Sequence, residues 1–148
     1  MIGITLKTHL LVLSLLASTQ AISAEVTVDM LNNKDGQANV YSSKVVRVEI
    51  GDKVTWKSTN AGHNAVFVPK AIPEGALPLE GAMSKDVSYI FEKPGVYMIK
   101  CNPHLGLGML MAVVVGNNIN NLDHVKTANY PAKAKVAAEE IFAELTKG

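Results

Sequence analysis

"GVYMIKCNPHLGLGMLMAVVV", residues 95–115, reads as strand, loop and strand. GVYMIKC (95–101) and LMAVVV (110–115) are short runs rich in β-branched and aromatic residues, the composition of a buried strand. The loop between them carries the only cysteine of the chain, Cys101, together with His104 and Met109. Gly106 and Gly108 allow tight, closely approaching backbone in that loop. A lone thiol this near an imidazole and a thioether, on a connection between two strands, is a candidate metal-binding loop.

Strand signals continue upstream. EVTVDML (25–31) alternates, with Val26, Val28 and Met30 on one side. KVVRVEI (44–50) and KVTWK (53–57) flank Gly51-Asp52, which predicts a hairpin turn. NAVFV (64–68) and DVSYIF (86–91) add two more, and EKPG (92–95) supplies a Pro-Gly turn. Many short strands with regular turn signals predict a β-sandwich or barrel. Residues 69–85, with several Pro and Gly, read as a loop inside the domain. The tail differs. GNNINN (116–121) breaks the strand pattern, LDHVKTA (122–128) predicts a short helix, and residues 131–148 predict a longer one. There Ala134, Ala138, Ile141 and Leu145 form one stripe, and Pro131 is expected in the first turn. The expected division is 24–116 for the sandwich and 117–148 for a helical extension packed on it.

The first residues, MIGITLKTHLLVLSLLASTQAISA, place one charge, Lys7, before an apolar run and end in small residues. That is the pattern of an export signal over residues 1–23, with cleavage expected between 21 and 24. The apolar run is too short for a stable membrane anchor. A mature chain of about 125 residues suits one domain with one core. Setting Lys7 aside leaves 13 basic and 13 acidic residues, a balance that excludes an ordinary nucleic-acid binder. No second apolar run of spanning length follows, so no membrane partner is expected. In an oxidising compartment a single cysteine cannot close an internal disulfide.

Of the other histidines, His124 in the tail has no ligand-type neighbour and reads as an exposed helix residue. His63, in NAGHNAV just ahead of a strand, can complete a set with Cys101, His104 and Met109. Zinc would accept the thiolate and the two imidazoles, but a thioether is a poor fourth ligand for it. Two histidines and a cysteine with a weak axial methionine is the blue-copper electron-transfer arrangement. Pro103 has no amide hydrogen to give the thiolate.

With the Cys-x2-His-x4-Met loop and the GHN of residues 62–64, the chain resembles the cupredoxins. Plastocyanins share that loop spacing. The 38-residue step from His63 to Cys101 and the helical tail make the chain more similar to the pseudoazurin branch. The resemblance implies an all-β Greek-key sandwich, one type 1 copper per chain, and a monomeric carrier in the periplasm that transforms no substrate. It implies partners among periplasmic redox proteins, such as copper nitrite reductase in denitrification or a c-type cytochrome. It also implies that Asn64 ties its loop to the backbone near Asn102. Electrons would leave through His104, with Pro103, Leu105, Leu107, Ile72 and Pro73 forming an apolar surround and Lys100 and Lys34 steering partners. Glu80 stands where the family often carries a lysine, which weakens the steering ring. Two rival classes fit less well. A thiol hydrolase leaves Met109 without a role and lacks a hydrolase signature around Cys101. A copper delivery or storage protein would normally expose two cysteines or a methionine-rich tract.

Overall fold

The runs of alternating residues become eight strands in the computed structural model, which describes residues 22–147. They are β1 (Glu25–Lys34), β2 (Gln37–Tyr41), β3 (Val45–Val48), β4 (Lys53–Lys57), β5 (Val66–Phe67), β6 (Val87–Ile90), β7 (Gly95–Lys100) and β8 (Leu110–Val115). Two helices follow, α1 (Leu122–Lys126) and α2 (Lys133–Leu145). One sheet has the order β2-β1-β4-β6 and the other β3-β8-β7-β5. β1 runs parallel to β4 and β3 parallel to β8, while the remaining pairs are antiparallel. Parallel neighbours far apart in sequence require the chain to cross between sheets, as in the Greek-key sandwich expected from the sequence.

Side-chain alternation divides the interior in two. Val28 and Met30 of β1, Val46 and Val48 of β3, and Val54 and Trp56 of β4 point between the sheets. There they meet Phe67, Phe91, Tyr97, Ile99, Met111 and Val113. β8 is buried at every position, and β7 at all but Lys100. Their other residues, Val96, Met98, Leu110, Ala112 and Val114, face a second cluster with Leu122 and Val125 of α1 and Ala138, Ile141 and Leu145 of α2. The stripe Ala134, Ala138, Ile141 and Leu145 is buried as its 3.6-residue period predicts. The layers are therefore sheet, sheet and helices. Two-sided burial explains why β7 and β8 read as nearly continuous apolar runs rather than as a clean alternation.

Several local expectations are corrected. Gly51-Asp52 does not close a hairpin, because β3 and β4 belong to different sheets. Asp52 is buried at a corner, where its carboxylate accepts from the amides of Ala24 (2.7 Å) and Glu49 (2.8 Å). The hairpin lies instead at Asp35-Gly36, between β1 and β2, with φ of 52° and 83°. Two positive φ values in a two-residue turn match strand twist, and Asp-Gly is the pair that tolerates them. Strand β2 itself was not expected. Pro131 does not enter the first turn of α2, since the helix begins at Lys133 after Ala132 at φ 50°. The export signal expected over 1–23 falls outside the described residues but for its last two. Among the described residues, no helix is long and apolar enough to cross a membrane.

Candidate metal centre

Cys101 follows the last residue of β7, and Met109 precedes the first of β8. β7 and β8 pair in register up to Lys100 opposite Leu110, and the Cys101 amide donates to the Met109 carbonyl at 3.2 Å. The seven residues between therefore leave and return through one closed neck. Inside it, the His104 amide donates to the Cys101 carbonyl (3.2 Å), and the His104 carbonyl accepts from Leu107 (3.0 Å) and Met109 (3.1 Å). Leu105–Leu107 form one 3-10 turn, ended by Gly108 at φ 93°. Of the two glycines expected to shape the loop, Gly108 alone needs that left-handed backbone.

His63 reaches the same point from the segment before β5. Its Nδ1 lies 3.1 Å from Nδ1 of His104 and 3.8 Å from Sγ of Cys101, and Sγ lies 3.5 Å from Nδ1 of His104. A point equidistant from the three atoms is about 2.0 Å from each, which is a metal–imidazole bond length. His63 and Cys101 are fully buried and His104 is half-buried. Burial, and then the neighbouring His104, hold the His63 imidazole below the usual histidine range. Burial pushes the Cys101 thiol up, with the amides of Asn64 and His104 partly offsetting it. Three lone-pair donors converging in a place that disfavours a proton on His63 call for a metal cation.

Met109 is buried in the same cluster as Cys101. Strand alternation puts Met111 on that face too, but its sulfur accepts from Trp56 Nε1 at 3.2 Å. Met109 is thus the thioether left next to the loop. One thiolate, two imidazoles and a thioether fit copper better than any harder metal.

The supports of these ligands are polar groups from distant segments. Asn64 Oδ1 accepts from the Asn102 amide at 2.9 Å, and its Nδ2 donates to the Gly81 carbonyl at 3.0 Å. The peptide after His63 is thereby tied to the peptide after Cys101. Sequence reasoning did not single out Asn32. His63 Nε2 sits 2.8 Å from Asn32 Oδ1, and an oxygen there makes Nε2 the protonated nitrogen and leaves the Nδ1 lone pair for the metal. Asn60 Oδ1 in turn holds the Asn32 amide at 2.8 Å. The sequence signal for this support is the pair Asn32 and Asn33 that follows the first strand-type run.

Around the loop, Asn102, Pro103, Gly106 and Leu107 are exposed, Leu107 by 54%. Leu105 is only partly exposed, because it packs on the second cluster. Lys100 is half-buried, and the exposed Lys34 donates to the Ser42 carbonyl. Pro73 does not join this surround. It packs against Gly95, the length of β7 away from Cys101, about 20 Å. Ile72 follows Ala71, whose carbonyl accepts from the Met98 amide halfway along β7, and it packs on the main core. His124 is exposed on α1.

Comparison with known proteins agrees with this geometry. Residues 28–116 match the family described as copper binding proteins, plastocyanin/azurin family. The chain is 36% identical over 120 residues to a pseudoazurin of Paracoccus pantotrophus, covering 81% of each chain. A solved pseudoazurin structure from Sinorhizobium superposes with a TM-score of 0.81 at 42% identity, covering 84% of this chain and 98% of that one. One from Hyphomicrobium denitrificans gives 0.77 at 39% identity, over 81% and 97%.

Proposed function

Because this chain belongs to the plastocyanin/azurin family of copper-binding proteins, and within it resembles the pseudoazurins along most of its length, we propose that it is an exported periplasmic electron carrier serving a reductase. The observation that carries the reading is the convergence of His63 Nδ1, His104 Nδ1 and Cys101 Sγ beside Met109. Copper bound there supplies one exchangeable electron. The protein's part is to keep the ligands still while that electron comes and goes. His63 is locked by Asn32 on its far nitrogen, and Cys101 is locked by the β7–β8 neck. A ligand set that does not rearrange lowers the cost of each exchange, and a dry thiolate keeps water from the sulfur.

His104 is the ligand nearest solvent and lies among exposed Pro103, Gly106 and Leu107. The electron leaves along its imidazole edge into a partner resting on that small apolar surface. Contacts of this size suit transient redox complexes. Leu107 provides apolar contact, Leu105 backs the turn, and Lys100 and Lys34 bias the approach of acidic partners. The partner class is a copper nitrite reductase or a c-type cytochrome of the same compartment, and the chain works as a monomer.

Adding one equivalent of Cu(II) to the metal-free protein tests the reading. An intense red-region absorption from sulfur-to-copper charge transfer is expected, lost in Cys101→Ser with the circular dichroism of the fold retained. A weak, tetragonal copper spectrum would point to a delivery or storage protein instead.

A further inference from the structure

Tyr41 is the last residue of β2, the outer strand of its sheet, and its side chain lies in the main core. Its hydroxyl donates to the backbone carbonyl of Asn64 at 2.9 Å. Among the described residues no other hydrogen bond reaches that carbonyl. Phenylalanine would fill nearly the same volume, so packing alone does not ask for a hydroxyl there. The carbonyl does ask for one, since a buried C=O without a donor is unsatisfied.

Asn64 stands between two ligands. It follows His63, and its side chain holds the amide that follows Cys101. Asn32 on β1 holds His63 from the other side. β1 and β2 are one hairpin, with Met30 opposite Tyr41. Both arms of the brace therefore come from the same pair of strands.

We propose that Tyr41 is a positioning residue of the copper centre: its hydroxyl fixes the Asn64 peptide and, through it, the relative placement of His63 and Cys101. The inference rests on the copper reading above. Without the hydroxyl, the Asn64 peptide turns toward another donor and the two ligands move more between oxidation states. The hydroxyl is thus expected to set the copper spectrum and the exchange rate as well as stability.

Tyr41→Phe is the test, with Tyr130→Phe as control. Tyr130 also donates to a backbone carbonyl, that of Val125 at 2.9 Å, but in the helical layer. In Tyr41→Phe we expect shifted Asn64 and Asn102 amide resonances in the copper-free protein. In its copper form we expect an altered Cu(II) hyperfine splitting and several-fold slower electron self-exchange. Tyr130→Phe should lose stability and keep wild-type values for all three. A wild-type spectrum and exchange rate in Tyr41→Phe, or equal changes in both variants, would overturn the proposal. If Tyr41→Phe does not fold, the wild-type Cu(I) protein decides. A slowly exchanging Tyr41 hydroxyl proton with a cross-peak to Asn64 supports the tie, and rapid exchange with water refutes it. Should the wild-type protein lack type 1 colour, the copper reading fails on its own, while the amide shifts still report on the tie.

Discussion

Replacing Asn64 by Leu keeps the side-chain volume and removes both polar ends. Two hydrogen bonds disappear, to the buried Gly81 carbonyl and to the Asn102 amide. The Gly81 carbonyl is enclosed, so leaving it unpaired costs about 1–3 kcal/mol. Asn102 is exposed, and its amide recovers a water, which limits that loss to about 1 kcal/mol. The variant should therefore be destabilised by about 2–4 kcal/mol, or roughly 10 °C in Tm for a domain of this size. Urea unfolding of the copper-free protein measures this without the stabilisation that bound metal adds to the native state. The copper form should show a shifted charge-transfer band and faster copper loss to a chelator, because the peptide after Cys101 is no longer fixed relative to the one after His63. A loss below about 1 kcal/mol together with an unchanged band would refute the view that Asn64 is the tie between the two ligand segments.

Met109→Gln should lower the reduction potential, since an amide oxygen is a harder donor than a thioether and favours Cu(II); voltammetry showing an unchanged or raised potential would remove Met109 from the site. Ile141→Ala in α2 empties part of the second cluster and should cost about 2–4 kcal/mol while leaving the visible band in place. Loss of the band in folded Ile141→Ala would mean that the helical layer sets ligand geometry. In the metal-free protein, burial disfavours a proton on His63 in the native state. The unfolded chain then binds more protons, so this residue's contribution is present above the ordinary histidine pKa of about 6.5 and is lost as pH falls through the lowered value. Urea midpoints at pH 8 and 5.5 should differ less in His63→Gln than in wild type, and an equal difference would contradict the assignment.

The sequence revealed what local pattern and donor chemistry can encode. β8 was readable to the residue because Leu110–Val115 is an apolar run between turn signals, and the α2 stripe because burial follows its period. Cys101, His104 and Met109 were visible because they share one loop. Turns were read less well. Gly-Asp at 51–52 and Asp-Gly at 35–36 both look like hairpin signals, yet only tertiary pairing decides which one folds a strand back on its neighbour. The tie from Asn64 to the Asn102 amide was legible through the family resemblance alone, and the supports at Asn32 and Tyr41 were illegible for the same reason as the turns. Asn32 lies 31 residues from His63, and Tyr41 lies 23 from Asn64. No spacing rule connects positions that meet only once the β1–β2 hairpin packs against the segment that carries His63 and Asn64.

β7 and β8, buried on both faces, also have a consequence in time. Amide hydrogens exchange fastest where strands fray or face water, and slowest where release requires the whole domain to open. The β7–β8 ladder has sheet on one side and helices on the other, and it ends at the very residues that contribute the thiolate and the thioether. The metal loop is thus anchored in what should be the most slowly exchanging part of the molecule. An opening confined to residues 102–108 would leave both strand ends, and the donors they hold, in place.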